Sequence, residues 1–400
     1  MPRLFSTPGS VWKLKKSIYG LKQSPRNYFL HMKGKLEKLG FVQSIADPCL
    51  FISPTVICLI YVDDALLVYR DQQAVDQLAT EMEKEDMLFQ VESDVAGYLG
   101  VLIDRRPDGS IIMRQEGLAK RIVEALFLDN SNKGSTTVRT PATAYLPIDD
   151  EGELAQGLYN YASVVGMLNY LQGHSRIDIT FAVSQVARYV HSPKRSHELA
   201  LERIGRYLKG TLDKGLILKP IPFADKQFSI DVFVDAAFAC GWGTEHGTNP
   251  ESVKSRTGYI IEVMGCSVVW CSKLQTSIAI STMESEYTAL SMALRAAIPL
   301  MAVSSSINEG LGLNKDKFLT FKATVHEDNI GALTLASLEP GRHTPRSKFY
   351  ALRMHWFRSW LKRDEIVITH CPTKDQKADY LTKPLTASMF EACRRLSMGW

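Results

Sequence analysis

The pattern of apolar and polar positions divides the chain into strand-like and helix-like segments. Runs rich in β-branched and aromatic residues predict strands, and apolar residues spaced three or four apart predict helices. In residues 56–69 two strand-like runs flank Asp63 and Asp64. This pattern predicts a β-hairpin with both carboxylates at its tip. The pair forms either an Asx-type turn or a site for a hard divalent cation, which would relieve the repulsion between like charges.

The segments around this hairpin predict an α+β region. Ser24 as N-cap, Pro25 at the first helical position and Gly40 as the stop predict a helix to about Leu39. Asp71 is the predicted N-cap of a second helix. Further along, the pattern predicts two strands within residues 99–113, around a turn at 106–109, and a helix at 116–127.

The middle of the chain predicts a linker followed by helices. Residues 129–156 are rich in Ser, Thr, Asn, Gly and Pro, which is typical of a linker or a long surface loop. The residues after it predict three helices, at 158–172, 177–191 and 194–209. We interpret them as a small helical packing region that carries no chemistry.

The last part of the chain alternates strands with helices and predicts a mixed α/β domain. A long helix is predicted at 283–307, and Pro299 is expected to kink or interrupt it. The other predicted elements are strands at 228–233, 255–261, 266–272, 321–326 and 366–371, and helices at 346–362 and 374–381.

Composition permits a polyanionic partner and argues against secretion. The 400 residues carry a net charge of +4, but residues 13–38 hold eight Lys or Arg and one acid, and residues 342–363 hold seven and none. Such runs favour phosphate contacts over a merely solvated face. Seven dispersed cysteines suit a reducing compartment, and no apolar run is judged long enough to cross a membrane. We therefore expect an intracellular protein without membrane contact.

Four acids of the last domain lie where strands end or helices begin. Asp235 ends a strand, Glu286 lies in the first turns of the long helix, Asp328 follows a strand, and Asp379 lies in the last predicted helix. Acids held by such a scaffold are candidate metal ligands, although each alone is more often a cap or a surface residue. Glu284, two residues from Glu286, points to another helix face.

Motifs along nearly the whole chain resemble the polyprotein of copia-type long-terminal-repeat retrotransposons. The run Ser17–Arg26 (SIYGLKQSPR), the YVDD at residues 61–64 and the YLG at 98–100 are similar to its reverse transcriptase. The STMESEYTAL at 281–290 and the ADYLTKPL at 378–385 resemble its ribonuclease H region. The blocks at 168–171 and 175–179 also resemble this polyprotein, and all occur in the family's order.

The resemblance implies roles for individual residues. It makes Asp63 and Asp64 metal ligands of a polymerase palm, and Asp235, Glu286, Asp328 and Asp379 a catalytic, metal-binding four-carboxylate nuclease site. The implied cofactor is Mg2+, with Mn2+ as an alternative. The implied contacts to nucleotide or nucleic acid are Tyr19, Gly20, Lys22, Gln23, Pro25, Arg26, Arg346 and Lys348.

The chain departs from the family pattern in three places. The family's polymerases have a third palm carboxylate well upstream, whereas only sixteen residues, none acidic, precede Ser17. Ala237 and Phe238 replace an Asp and a Trp of the family's nuclease. Residues 349–351 (Phe-Tyr-Ala) replace a His-Ile-Asp run after Lys348. The first departure leads us to expect that the fingers are missing and that polymerase activity is lost.

Together these features predict an α+β multidomain fold in the C-terminal part of a retrotransposon polyprotein. The expected domains are a partial palm (1–130), a linker (131–157), a helical thumb or connection (158–222) and a ribonuclease H-like mixed sheet (228–400). The expected activity is metal-dependent hydrolysis of RNA in RNA–DNA hybrids. RNA, DNA, their hybrid and upstream polyprotein segments are the expected partners, in the cytoplasm, virus-like particle and nucleus.

Two other hypotheses remain open at this point. A non-catalytic nucleic-acid-binding remnant would explain the missing palm acid, whereas the complete set of nuclease carboxylates favours the enzyme. An unrelated α/β protein with coincidental acids would not explain the ordered run of motifs.

Overall fold

The fold is given by a computed structural model. It describes residues 13–62, 64–87, 91–92, 96–129, 136–221, 227–243, 249–313, 320–338, 342, 355–361 and 365–400. The chain divides into two compact units, Met1–Ser93 with Ala302–Lys317, and Asp94–Met301 with Phe318–Trp400. The domain boundaries predicted from the sequence are finer than this division and stay predictions.

The first unit is built on the predicted hairpin. Strands β3 (Val56–Tyr61) and β4 (Asp64–Tyr69) pair antiparallel. Strands β1 (Val42–Gln43) and β2 (Leu50–Ile52) complete a sheet in the order β1-β2-β3-β4. The helices α1 (Ser24–Lys38) and α2 (Gln72–Lys84) share one buried core with this sheet, formed by Met32, Leu36, Phe41, Phe51, Val56, Cys58, Ile60, Leu78 and Met82.

The helix starts of this unit differ in how well the sequence predicted them. The Asp71 carboxylate accepts a hydrogen bond from the Gln73 backbone N–H, which confirms it as the N-cap of α2. Ser24, in contrast, lies inside α1, and its hydroxyl donates to the Ile18 carbonyl at 2.7 Å. The predicted N-cap role of Ser24 is therefore wrong, because its side chain closes the preceding turn instead.

The second unit begins with a four-stranded antiparallel sheet. Strands β5 (Ala96–Tyr98), β6 (Val101–Arg105) and β7 (Ile111–Arg114) follow one another, and β8 (Leu216–Leu218) joins β7 from much later in the chain. The predicted turn is confirmed: the Gly109 N–H donates to the Arg106 carbonyl at 3.0 Å. The short strand β8 was not predicted.

Four helices follow this sheet or lie beside it. They are α3 (Glu116–Ala125), α4 (Tyr161–His174), α5 (Thr180–Val186) and α6 (Arg195–Lys209). The predicted helix at 177–191 is shorter than expected, because 3-10 turns at Ile177–Ile179 and Ala187–Tyr189 flank α5.

The described part of the predicted linker is fixed by hydrogen bonds. Residues 136–160 contain no helix or strand apart from one bridge between Leu154 and Lys194. The Leu146 N–H donates to the Gln185 side chain at 2.7 Å, and the Gln156 and Gly157 N–H groups donate to the Glu198 carboxylate. The segment is thus a loop held against α5 and α6.

A five-stranded mixed sheet forms the centre of the predicted α/β region. Its strands are β9 (Gln227–Ala237), β10 (Arg256–Val263), β11 (Cys266–Leu274), β12 (Thr320–Glu327) and β13 (Ile366–His370). Their order is β11-β10-β9-β12-β13. Strands β9, β10 and β11 pair antiparallel, while β12 runs parallel to β9 and β13 parallel to β12. The predicted mixed sheet is confirmed.

Helix α7 (Thr282–Gly310) packs its inward face against this sheet. Tyr287, Leu290 and Leu294 are buried in a common core with Val232 and Val325. The helix continues through Pro299 without interruption.

By length and composition α7 is able to cross a membrane, contrary to the expectation from the sequence. Core helices of soluble proteins meet the same criterion.

The remaining described elements are short. They are α8 (Ile330–Ser337), α9 (Arg358–Leu361), α10 (Ala387–Met398), and 3-10 turns at His355–Phe357, Thr373–Asp375 and Lys377–Leu381. The predicted helix at 374–381 is thus two 3-10 turns. Only the end of the predicted helix at 346–362 lies within the described residues, and α10 was not predicted.

Gly258 of β10 allows the 377–382 segment to approach the sheet. A Cβ atom at this position would lie 2.6 Å from Thr382 Cγ2 and 2.9 Å from Leu381 Cβ. We expect Gly258→Ala to lower the free energy of unfolding by about 1–3 kcal/mol, measured by urea denaturation. The control is Gly173→Ala in α4, where a Cβ meets nothing within 4 Å and a gain of about 0.5–1 kcal/mol is expected. Equal effects of both changes would contradict the steric explanation.

Candidate metal centre

Strand β9 fixes Asp235 through its pairing with β10. Val232 and Val234 are buried in the core that also contains residues of α7, and Asp235 follows them near the end of β9, where it pairs in register with Gly258 of β10. Its carboxyl group is 3% exposed and accepts a hydrogen bond from the Thr382 hydroxyl. Asp235 is thus held both by the sheet register and by the segment at 377–382.

Helix α7 positions Glu286 through a capped N-terminus. The Ser281 hydroxyl accepts a hydrogen bond from the Glu284 N–H, and the Glu284 carboxylate accepts one from the Ile280 N–H at 2.8 Å. Glu284 therefore caps the helix, and Glu286 alone turns inward, as the helical spacing predicts. Glu286 is 7% exposed, and its Oε2 atom has no hydrogen-bond partner among the described residues.

Asp328 completes a group of three carboxylates. It follows β12 directly, and its Oδ2 atom accepts a hydrogen bond from the Thr373 hydroxyl at 3.3 Å. One oxygen atom each from Asp235, Glu286 and Asp328 lies within 4.8 Å of the other two. The sheet and α7 thus bring together three of the four acids predicted from the sequence.

Asp379, the fourth predicted acid, lies beside this group and is joined to it through Lys383. The Lys383 ammonium lies 2.9 Å from Asp379 Oδ1 and 3.9 Å from Asp235 Oδ2. Asp379 is not part of the close group of three oxygen atoms. Its participation in one four-carboxylate site stays a prediction.

Glu327 is a buried acid that was not among the candidate ligands predicted from the sequence. Its side chain is fully buried, Oε1 accepts a hydrogen bond from the Asn329 N–H at 3.0 Å, and Oε2 has no partner among the described residues. The two-residue period of a strand could have identified it, because Ala323, Val325 and Glu327 occupy every second position and share one buried face of β12.

The electrostatics of the site favour the protonated forms of its acids. Burial, together with the charges of Asp235, Glu327 and Asp328, raises the pKa of Glu286 to about 11. Burial also raises the pKa of Glu327 to about 8, that of Asp379 to about 6, and that of Asp235 above its ordinary value. Lys383 is the cation that ion-pairs with two of these acids.

These residues fit a divalent metal ion. The ligand atoms are carboxylate oxygens, which hard cations prefer, and the unpaired Glu286 oxygen lacks the partner that a buried polar atom requires. Among the described residues, Asp235, Glu286 and Asp328 are the one group of three acids or histidines with this spacing.

The hairpin of the first unit gives less evidence for a metal site. Asp64 is exposed and pairs in register with Tyr61, while Asp63 lies outside the described residues. Val62 has φ +55°, an unusual left-handed conformation for a β-branched residue at the hairpin tip. The two palm ligands predicted from the sequence therefore stay predictions.

The predicted nucleotide-binding residues fall in two groups. Tyr19, Gly20, Lys22, Gln23, Pro25 and Arg26 form the turn before α1 and its first residues, where Gly20 has φ +90° and Tyr19 is 92% exposed. Arg346 and Lys348, like residues 349–351, lie outside the described residues. Their binding roles stay predictions.

Comparison with known proteins agrees with the resemblance in the motifs. The family described as reverse transcriptase (RNA-dependent DNA polymerase) matches residues 5–141. The Pol polyprotein of transposon RE1 from Arabidopsis thaliana is 30% identical over 392 residues, which cover 96% of this chain and 25% of that protein. The Pol polyprotein of transposon TNT 1-94 from Nicotiana tabacum is 28% identical, over 96% of this chain and 28% of that protein.

Solved structures with similarity to the chain include polymerase and nuclease proteins. A foamy viral protease-reverse transcriptase in complex with an RNA/DNA hybrid matches with a TM-score of 0.44 and 12% identity, over 89% of this chain and 39% of that one. The N-terminal RNase H domain of Rv2228c from Mycobacterium tuberculosis matches with a TM-score of 0.27 and 13% identity, over 42% of this chain and 97% of that one.

The sequence matches place the chain in a class of reverse-transcriptase-containing proteins. More particularly, its homologues over 96% of its length are Pol polyproteins of copia-type transposons. The chain spans about a quarter of the length of the transposon polyproteins RE1 and RE2.

The raised pKa of Glu286 has a consequence for stability. Below the unfolded pKa of 4.5 both states bind the proton, whereas above it the folded state retains a proton that the unfolded state releases. The free energy of unfolding of the metal-free protein should therefore fall as pH rises from about 5 to 9. We expect Glu286→Gln to remove roughly 1–3 kcal/mol of this fall.

The measurement is urea denaturation at several pH values in a chelating buffer. Glu284→Gln, which changes the capping carboxylate two residues away, is the matched control and should leave the pH slope unchanged. The same slope in Glu286→Gln and the unmodified chain would show that Glu286 is not held protonated.

Proposed function

We propose that this chain hydrolyses the RNA strand of RNA–DNA hybrids at the carboxylates of Asp235, Glu286 and Asp328. The observation that carries the proposal is the convergence of these three acids, two of them buried, from three separate elements. A buried group of like charges is costly unless a cation compensates it. Membership of a reverse-transcriptase-containing family favours nucleic acid as the substrate.

We further propose Mg2+ as the cofactor, with Mn2+ as an alternative. Asp235, Glu286 and Asp328 would hold the metal, and Asp379 would be a fourth ligand. When bound, such ions polarise the phosphate and lower the pKa of a bound water.

The protein's own residues determine where the substrate phosphate lies. Asp235 cannot shift along the sheet, because β10 and β12 pair with β9 on both sides. Lys383 offsets part of the negative charge, so that a phosphate is less strongly repelled at this edge of the sheet. In the proposed hydrolysis, a water oxygen bonds to phosphorus while the bond from phosphorus to the leaving sugar oxygen breaks.

The first test is hybrid cleavage by the full 400-residue chain with Mg2+. We expect Asp328→Asn to reduce the rate at least about a hundredfold, because it removes a charged ligand and nearly preserves shape. Chelation should abolish cleavage. The matched control, Glu284→Gln, should retain the rate of the unmodified chain.

The substrate comparison is part of the same experiment. A nuclease that recognises the RNA strand must sense its 2′-hydroxyl groups, so double-stranded DNA of the same sequence should resist cleavage. Equal cleavage of both duplexes, or full activity of Asp328→Asn, would contradict the proposal. Hybrid binding without any cleavage would favour the non-catalytic remnant.

We also propose that the 400-residue chain alone does not extend a primer. Asp64 is exposed, and the first 36 residues contain no Asp or Glu that could act with it and Asp63. Two adjacent aspartates provide too few fixed oxygens to hold two cations against their repulsion.

We therefore expect primer extension on an RNA template, with Mg2+ or Mn2+, to equal that of a chain carrying Asp63→Ala and Asp64→Ala. Incorporation clearly above that control would refute the expectation.

A further inference from the structure

A cavity of about 560 Å3 in the second unit lies on the side of the sheet that faces α5. Its lining includes Arg188, Arg256, Lys254 and Glu251, with the hydroxyl groups of Ser184 and Ser272. Glu251 forms an ion pair with Lys254, so these two charges cancel each other. Lys273 also lines the cavity, so Arg188, Arg256 and Lys273 remain as the positive charges that this ion pair does not compensate.

Arg256 is the residue that distinguishes this cavity from an ordinary surface cleft. It is 1% exposed, yet no carboxylate among the described residues lies within ion-pairing distance of it. Its Nη1 atom donates to the hydroxyls of Ser184 and Ser272, while its Nε atom has no hydrogen-bond partner in the described part of the chain. A buried guanidinium without a counter-ion is unfavourable.

The neighbours of Arg256 do not supply the missing negative charge. The Cys240 thiol contacts the guanidinium but stays protonated, because burial raises its pKa despite the nearby arginines. Phe181 presents its ring at 5.2 Å from the guanidinium carbon. Arg188 is close enough to repel Arg256, and burial together with this repulsion lowers the pKa of Arg256.

We infer that this cavity binds a phosphate group between Arg188 and Arg256. A guanidinium presents several N–H donors in a plane and matches the oxygens of a phosphate. Ser184 and Ser272 each accept a hydrogen bond from Arg256. The Ser184 O–H donates to the Phe181 carbonyl at 3.0 Å, which leaves the Ser272 O–H as the hydroxyl able to donate to an anion. An anion here would complete the hydrogen bonding of Nε and remove the repulsion between the two arginines.

The cavity lies close to the candidate metal centre. Arg256 pairs in register with Ala237, two residues after Asp235, so both side chains project from the same face of the sheet. Tyr145 lies within electrostatic range of Asp235 and Arg256, and its hydroxyl donates to the Thr382 carbonyl at 3.2 Å. A phosphodiester backbone near the carboxylates could thus place another of its phosphates in the cavity. Only the assignment of this phosphate to the backbone of a bound nucleic acid rests on the proposed function.

The first arm of the test uses inorganic phosphate and the full chain. Phosphorus NMR in chelating buffer should show saturable binding, and Arg188→Met should weaken it about tenfold or more. Arg256→Lys keeps a buried positive charge but loses the planar donor set, and it should weaken binding as well. The control is Arg121→Met, which removes an exposed arginine of α3 and should bind phosphate as the unmodified chain does.

The second arm identifies the source of the phosphate. Binding of a labelled RNA–DNA hybrid is measured across salt concentrations without metal, so that no cleavage occurs. If the backbone enters the cavity, Arg188→Met lowers the slope of log affinity against log salt by about 1, and Arg121→Met does not. An unchanged slope together with phosphate binding assigns the cavity to free phosphate and still supports the inferred site.

A different result would overturn the inferred phosphate site. If inorganic phosphate does not bind saturably and neither Arg188→Met nor Arg256→Lys alters hybrid binding, the cavity is not a phosphate site. This outcome is independent of the proposed function, because hybrid cleavage that requires Asp328 would stand without it. Phosphate binding without hybrid cleavage would instead leave the cavity assigned and the proposed function refuted.

Discussion

Repulsion between carboxylates held close together in a poorly solvated place is the constraint on which the second unit depends. Asp235, Glu286 and Asp328 come from a strand, a helix and a strand end, and each is held by contacts that the apolar core provides. Burial of Val232, Leu290 and Val325 stabilises the arrangement that the charges oppose. The fold therefore stabilises a site that is itself unfavourable without a cation, as is common at functional sites.

Local patterns were sufficient to predict the hairpin and the mixed sheet. The apolar runs around Asp63 and Asp64 strongly favour two paired strands. Each of the strands β9 to β13 also has a clear strand-like run. Asp235 and Asp328 could be recognised because an acid directly after an apolar strand has a fixed position. Glu286 could be separated from Glu284 because two residues on a helix differ by more than half a turn in direction.

Features that depend on distant contacts could not be predicted in the same way. Strand β8 has three residues, and only its pairing with β7 makes it a strand. Helix α7 continues past Pro299 because it packs against the sheet, and the sequence around Pro299 does not show this packing. The burial of Arg256 without a carboxylate beside it arises from segments that meet only after folding.

The parallel pairing of β9 with β12 also bears on how the protein folds. Parallel neighbours need a long connection, and here α7 lies within it, so this pairing joins residues far apart in sequence. Contacts of this kind form slowly, since the entropy of closing a long loop is lost before the contact is gained. We therefore expect Asp235 and Asp328 to remain separated and hydrated until the central sheet assembles. On this expectation the electrostatic cost of the site arises late in folding, when the hydrophobic core is already in place to offset it.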